Sequence, residues 1–590
     1  MEPLFIGLLA AVAVIAVTAL APRTGVSAPL ILVLLGAAVT AIPAVPNVQV
    51  SPEVILAGVL PPLLYSAAVS MPTMDFRRDL ATIGGLSVVL VLITAVLLGF
   101  VFSALLPGLG LAGGIALGAI VSPTDAVATS IVKKLGAPPR VVTVLEGEGL
   151  LNDASALVLL RSAVAATSAS VSFGHVAGDF LWAVVGAVTV GAIVGQLLLQ
   201  VRRLVRSAPL STAVSFIVPF AAYLPAEHLH ASGLVAVVAA GLVTGYGSAR
   251  YLGPRDRVSE DSNWRTVELL LEGGVFLLMG LELSQMVVDV RAEHGSLWFG
   301  AGVAALAAAV VLLVRAAYVT PLVASLDRRA RRGAALRGTI TGVQQRLETT
   351  LADADADGVV RMPPAPGPPV GHPGRGPRLV PVARLRRLQG GLVRRVADID
   401  YLTAKPLGPR EGGLLVWAGM RGVVTVAAAQ SLPHDFPHRP FVVLVAFGVA
   451  AGTLLLQGGT LPWVVRRLGL SGQGAPTREE YQVVRRIVES AARDLLDDPE
   501  LREQYEPNVI ARVRADVVRG YAVDDVDEQE TAERFARYRG LRLRAIDVQR
   551  DALLAARSTG VHDSRQLEQA LAALDAEQIM VEMKKRAAGG

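Results

Sequence analysis

The stretch Glu146–Arg161, EGEGLLNDASALVLLR, places Glu146, Glu148, Asn152, Asp153 and Arg161 inside a run apolar enough to cross a membrane. A charge at the centre of a membrane helix costs roughly 2.5–3.5 kcal/mol on insertion scales, so such residues face a pathway or a partner. On a helix from about Val141 to Ala166, Asp153 falls near the midpoint and hence near the bilayer midplane. Glu148 and Asn152, four apart, share a face; Glu146 and Asp153, seven apart, share a neighbouring one. A carboxylate at that depth suits reversible binding of a proton or a monovalent cation. The competing reading makes Glu148 and Asp153 structural partners of buried arginines.

Two further clusters bear on the same chemistry. In Ser122-Pro123-Thr124-Asp125, Pro123 removes a backbone donor, and Gly113, Gly114 and Gly118 loosen the helix upstream. Backbone broken at membrane depth is tolerated where it lines a cavity or is buried in protein. Freed carbonyls and the hydroxyls of Ser122 and Thr124 can coordinate a small cation, and Asp125 can neutralise helix N-termini. A simple kink with Asp125 paired structurally accounts for the same residues. In Gly419-Met420-Arg421-Gly422 an arginine stands in an apolar span, placed to offset helix C-terminal carbonyls or to pair with a carboxylate. Arg315 lies toward the inner end of its segment and reads as structural or snorkelling. Glu268, Glu272 and Glu282 share one segment, as vestibule lining or ion-paired groups.

The elements that must position these residues are membrane helices. About thirteen apolar segments of spanning length are present, among them the fifth (Leu111–Ile131), sixth (Val141–Ala166), tenth (Val267–Val288), eleventh (Leu297–Leu322) and twelfth (Leu414–Leu432). The eighth and ninth, Thr212–Leu224 and Ala231–Gly245, are interrupted by Pro219, Pro225, His228 and His230. With the N-terminus outside, the inner loops collect Arg23, Arg77, Arg78, Lys133, Lys134, Arg140, Arg202, Arg203, Arg206 and Arg250, while the outer loops hold chiefly Arg291 and Arg439. The N-terminal run is read as a first membrane helix and not a cleaved signal, because its n-region carries Glu2 and no Lys or Arg. If segments one to six and eight to thirteen are inverted repeats, the fifth and twelfth are interrupted helices in matching positions, the best sequence pointer to a transporter site.

Composition sets the class. The chain has 590 residues, 52% of them hydrophobic, no cysteine and a formal net charge of +5. Its mean hydropathy is +0.51. These values describe an all-α polytopic membrane protein and exclude disulfides and Cys-ligated metals. No nucleophile–base pair or metal triad is visible, so the reading is not an enzyme, with no cofactor and no nucleic-acid partner. Residues 1–468 form the membrane domain. Within it, residues 327–410 are an inner, partly disordered insertion with an acidic ADADADG run, a Pro/Gly-rich stretch from Pro363 to Pro377, and basic pieces suited to anionic lipid. Asp353, Asp355, Asp357 and Gly358 mimic a calcium loop, but Pro364 stands where its closing Glu belongs. Residues 476–590 read as a soluble helical cytoplasmic domain, opened by a Thr477-to-Glu480 capping box.

SPTDAVA, GEGLLNDA and AGMRGVV, in that order and on those segments, resemble the signatures of the sodium/proton exchangers of the cation/proton antiporter superfamily. The resemblance spans roughly Leu4 to Leu468 and includes Leu60-Pro61-Pro62-Leu63-Leu64 and Phe276-Leu277-Leu278-Met279-Gly280-Leu281. The Asn152-Asp153 pair resembles the branch whose members are typically electroneutral. The resemblance implies that Asp153 binds either cation or proton, that Asn152 and Asp125 hold the crossing of two broken helices, and that the Thr124 backbone helps ligate the cation. It implies that Glu148 pairs with Arg421, and that the protein is a homodimer whose core bundle moves against a dimerisation bundle. Two positions depart from the family pattern. Gly149 stands where many members have a Ser, and Ser66 where many have an acid.

The expectation is therefore an antiporter of the plasma membrane, exchanging sodium, or potassium or lithium, for protons that compete for Asp153. Ser122 completes the site, and Ser66, Glu146 and Arg315 are accessory candidates. The alternatives are an organic-anion transporter on the same scaffold, against which Asp125 and Asp153 argue, and a transport-inactive cation sensor.

Overall fold

A computed structural model describes residues 2–24, 26–40, 51–168, 173–205, 207–292, 296–352, 359–362, 378–473, 478–519 and 532–587. The acidic run, the calcium-loop mimic, the Pro/Gly-rich stretch and Thr477 of the expected capping box lie outside them. The chain divides into two compact units, residues 1–323 with 407–475 and residues 324–406 with 476–590. The insertion and the C-terminal segment thus belong to one unit, although the last apolar segments separate them in sequence.

The first unit begins with α1 (Glu2–Thr24), α2 (Ala28–Thr40), α3 (Leu60–Val69), α4 (Thr73–Gly84), α5 (Leu90–Leu105), α6 (Gly110–Val121), α7 (Ala126–Lys134) and α8 (Pro139–Ser168). It continues with α9 (Phe173–Leu204), α10 (Ala208–His228), α11 (Gly233–Tyr251), α12 (Pro254–Leu281), α13 (Leu283–Ala292) and α14 (Leu297–Ala352), which runs on into the second unit. After the strands β1 (Val359–Met362) and β2 (Arg378–Pro381) and helix α15 (Val382–Ala404), the chain returns with α16 (Pro409–Trp417), α17 (Val423–Gln430), α18 (Arg439–Thr453) and α19 (Gly459–Arg467). π-helical turns lead into α3 and join α4 to α5 and α18 to α19.

Among the described residues nine helices are long and apolar enough to cross a membrane. The other expected segments fall on two shorter apolar helices, on the Glu-bearing α12 and on the α16–α17 pair. Phe5, Leu8, Val12 and Ile15 of α1 and Leu181, Val185, Ile193 and Leu197 of α9 are exposed, the surface a bilayer would cover. Pro219 and Pro225, which interrupt the apolar pattern, sit inside one continuous helix α10; membrane helices accept Pro where neighbours re-satisfy the freed backbone groups.

Two bundles make up this unit. In one, α9, α10 and α11 pack together, and α3, α12, α2 and α1 pack onto them. In the other, α5, α6 and α8 pack together with α4, α7, α17, α18 and α19. The GxxxG spacings serve this packing: Gly114 and Gly118 lie on the α5 backbone at Gly99 and Ala95, and Gly191 and Gly195 on the α11 backbone at Ala236 and Ala240.

The second unit adds α20 (Arg478–Leu496), α21 (Pro499–Gln504), α22 (Pro507–Arg519), α23 (Ala532–Thr559) and α24 (Ser564–Ala587). α20, α22 and α23 enclose a core of Leu496, Leu501, Val509, Ile510, Val513, Leu541 and Ala545. β1 and β2 pair antiparallel, Val359 opposite Pro381, a two-stranded ribbon that the all-helical expectation did not include. Lys405, just past α15, forms an ion pair with Asp563, just before α24.

Candidate ion-binding site

The fifth and twelfth segments are both broken. α6 stops at Val121 and α7 starts at Ala126; α16 stops at Trp417 and α17 starts at Val423. Pro123 explains the first break, since it cannot donate and disfavours helical backbone before it. The breaks meet: the Asp125 amide donates to the Met420 carbonyl at 2.8 Å.

Each break leaves a helix end to be neutralised. Asp125 is the N-cap of α7, its Oδ1 accepting from the Val127 amide at 3.1 Å. Arg421 serves the opposite end of the break. Its Nε donates to the Val121 carbonyl at 2.9 Å and its Nη2 to the Ser122 carbonyl at 3.1 Å, the last carbonyls of α6, and its Nη1 donates to the Gly419 carbonyl. The Arg421 amide donates to the Thr453 hydroxyl at 2.9 Å. A cation thus sits on the negative helix end and an anion on the positive one.

The glycines of the GMRG run make the crossing sterically possible. A Cβ on Gly422 would stand 1.6 Å from Asp125 Oδ2, and a Cβ on Gly419 would stand 2.6 Å from Arg315 Cδ and Nε. They admit two charged side chains to the backbone.

The expected Glu148–Arg421 ion pair is not the one formed. Glu148 and Arg315, each 1% exposed, make a two-pronged ion pair, with Arg315 Nη2 2.7 Å from Glu148 Oε2 and Nη1 on Oε1. Arg315 Nε donates to the Leu415 carbonyl at 2.8 Å. Arg421 is instead spent on carbonyls, because the broken α6 leaves acceptors that only a side-chain donor can satisfy there. Arg315 is therefore structural, one of its two expected readings, and does not snorkel. Its signal in the sequence was its isolation among apolar residues, which at this depth demands a partner.

A relay links this pair to the break in the fifth segment. Asn152 Nδ2 donates to the Thr124 hydroxyl at 2.6 Å, and that hydroxyl donates to Glu148 Oε1 at 3.2 Å. The Ser122 hydroxyl donates to the Ala119 carbonyl at 3.0 Å, and the Ser122 carbonyl accepts from Arg421 Nη2 at 3.1 Å. Asp153, one residue on from Asn152, is 6% exposed and within electrostatic reach of Asp125. Three buried oxygens here have no hydrogen-bond partner among the described residues: Asp125 Oδ2, Asn152 Oδ1 and Asp153 Oδ1. Unpaired buried acceptors are rare and call for a reason; carboxylate and amide oxygens are of the kind that can take a small hard cation or, for a carboxylate, a proton.

The structure thus gathers Ser122, Thr124, Asp125, Glu148, Asn152 and Asp153 with Arg315 and Arg421 at one crossing. Glu146 is elsewhere, half-buried and 3.0 Å from Lys133 Nζ. Ser66 is buried on α3 and meets Glu268 of α12 rather than the crossing. Gly149, where a serine was the family expectation, faces open space, with nothing within 4 Å of an added Cβ. Thr453 was not singled out by sequence, since a lone threonine in an apolar helix carries no signal.

Comparison with known proteins bears on this arrangement. An uncharacterized Na+/H+ exchanger of Mycobacterium tuberculosis is 28% identical over 600 residues, covering 98% of this chain and 97% of that protein. The Na+/H+ antiporter NhaH of Halobacillus aidingensis is 28% identical over 419 residues, 70% of this chain and 82% of its own. The sodium proton antiporter MjNhaP1 from Methanocaldococcus jannaschii at pH 8 shares the fold, with a TM-score of 0.50 at 18% identity, over 79% of this chain and 99% of that one. The family model for the transmembrane sodium/hydrogen exchanger matches residues 8–352, from α1 to the end of α14, and so takes in the broken fifth segment and the Asn152-Asp153 pair. The chain belongs to the sodium/hydrogen exchanger family.

Proposed function

We propose that this protein exchanges a monovalent cation, sodium first, for protons across the plasma membrane by alternating access, as a homodimer. The observation that carries the reading is Asp153: a buried carboxylate with an unpartnered oxygen, beside Asn152 Oδ1 and within reach of Asp125. One carboxylate cannot favour a proton and a cation at once, so entry of either expels the other and the two fluxes are coupled without a chemical step. Asn152 commits its amide to Thr124 and adds no charge, which supports exchange of one cation for one proton. The Glu148–Arg315 pair is internally neutral, and Arg421 and Asp125 cap helix ends, which leaves Asp153 to answer to the cargo. The orientation that fits the arginine distribution has the N-terminus outside and the second unit in the cytoplasm, and the two bundles are the bodies whose relative motion carries the site across.

The test is proton flux in proteoliposomes of purified protein, followed with a pH dye on adding sodium, potassium or lithium, with and without a potential clamp. Cation-driven proton movement that ignores the clamp is the expected result and identifies the preferred ion. A folded protein that moves no protons with any of the three overturns the reading.

A further inference from the structure

Among the contacts between the two bundles, two polar side-chain contacts lie at one end. Glu282 caps the C-terminal end of α12 and is 8% exposed. Its Oε2 accepts from Gln430 Nε2 at 2.6 Å, and Gln430 is the last residue of α17. α12 packs chiefly with α2, α10, α1 and α3 and α17 chiefly with α18 and α6; the two helices also touch each other, and in that contact between the bundles this hydrogen bond crosses from one to the other. A second contact does the same: Arg161 of α8 lies 3.1 Å from Glu227 of α10. Short connections between α10, α11 and α12 put the C-terminal ends of α10 and α12, and hence both contacts, at the same end of the unit. On the orientation proposed above, that end is the outer one.

The Gln430 side of the contact is held rigidly. Arg439 donates through Nη2 to the Gln430 carbonyl at 2.8 Å and through Nε to the Leu432 carbonyl at 3.0 Å, capping the end of α17. α17 is the outer half of the helix whose break holds Met420 and Arg421. A link from its tip to α12 therefore ties the broken helix at the ion site to the opposite bundle. Arg161–Glu227 is largely exposed and contributes little, whereas a part-buried hydrogen bond to a carboxylate is among the stronger kinds.

We propose that Glu282 and Gln430 form a latch that keeps the outer ends of the bundles together while the site faces the cytoplasm, and that it opens each time the site turns outward. Glu282 is on this view a positioning residue, acting on the ion site through α17 and touching no cargo. The inference rests on the alternating-access reading. It demands that the contact be made and broken in every cycle.

The chain has no cysteine, which makes the test clean. Glu282→Cys combined with Gln430→Cys, in proteoliposomes, is expected to lose at least nine-tenths of its cation–proton exchange when a disulfide is formed by mild oxidation, and to regain it on reduction. Each single-cysteine variant is expected to ignore the oxidant. A double variant shown by mass spectrometry to be cross-linked, yet exchanging at its reduced rate, overturns the latch and leaves the exchange reading standing. If the cross-link does not form, Glu282→Ala decides in oriented vesicles. Losing a charge-assisted hydrogen bond that is made in one state only shifts the balance by about tenfold. The half-saturating cation concentration is then expected to fall at the outer face and rise at the inner face. Equal values at both faces, unchanged from the parent protein, overturn the proposal. Absence of exchange in the parent itself would instead count against the proposed function.

Discussion

Asp153 and Glu148 are both buried acids on α8, five residues apart, and the structure gives them opposite duties. Glu148 is fully committed, to Arg315 through both oxygens and to the Thr124 hydroxyl. Asp153 keeps an oxygen free. The two should fail differently. Asp153→Asn is expected to fold, since a neutral side chain of the same shape is no harder to bury, and to lose exchange altogether in the dye assay; robust pH-dependent exchange in that variant would sink the mechanism. Glu148→Ala and Arg315→Ala each strand one buried charge, a loss of about 3–5 kcal/mol. Both are expected to show a sharply lowered melting temperature in detergent, and Glu148→Gln with Arg315→Met to recover much of it. A single variant as stable as the parent contradicts the pairing. The carboxylates themselves were legible from sequence, because a charge in an apolar run announces itself. The partner of Glu148 was not. Arg315 and Arg421 both stand in apolar segments, and choosing between them needs the relative depth and rotation of three helices, which no one-dimensional spacing contains.

The breaks in the fifth and twelfth segments could be read from Pro123 and from the glycines around Arg421, because helix-breaking residues act locally. What the breaks are for could not. Besides breaking the helix, the glycines beside Arg421 clear space for Asp125 and Arg315, side chains distant in the chain. Gly422→Ala is therefore expected to disrupt the crossing and cost both stability and exchange, since the new methyl would meet a capping carboxylate head-on. Gly149→Ala or Gly149→Ser, one residue from Glu148, is expected to leave the melting temperature within about 1 °C, because the added atoms enter open space and surface-like changes fall within roughly 0.5 kcal/mol. Thermal melts of the three variants side by side check this, and a Gly422→Ala protein melting with the Gly149 variants refutes it. The same limit applies to α10, whose two prolines look like an interruption in sequence and are absorbed within one helix.

For the whole molecule, the division into two units is the feature least visible beforehand. The insertion and the C-terminal segment each look like an appendage, and among the described residues long-range contacts between α15 and α23 and between Lys405 and Asp563 join them in one body. Asp563 caps α24, accepting from the Arg565 amide at 2.9 Å and from that of Gln566 at 3.4 Å. Burial pushes its carboxyl up, but Lys405 and the two amides outweigh burial and hold it below the usual range. A carboxylate whose folded pKa is depressed contributes stability above its unfolded value, about 3.9, and loses it as the pH falls through the folded value. Amide exchange of α24 in the full chain, corrected for intrinsic rates, is thus expected to rise as the pH falls from about 5 to about 3. Asp563→Asn is expected to exchange faster at neutral pH and to show a smaller acid increment. An identical acid response in the variant removes Asp563 from the linkage.

The crossing proposed as the ion site is assembled from both sides of the insertion, and this sets an order in time. A ribosome delivers α6, α7, α8 and Arg315 well before residues 407–475. By then Glu148 already has its arginine, but the Val121 and Ser122 carbonyls await Arg421, and the Asp125 amide awaits the Met420 carbonyl. For the interval in which the insertion is being translated, the nascent protein holds a finished ion pair beside an unfinished crossing, with bare backbone at membrane depth. Such an intermediate must be sheltered, by neighbouring helices or by the insertion machinery. A chain interrupted before α16 is the form that membrane quality control would recognise and clear.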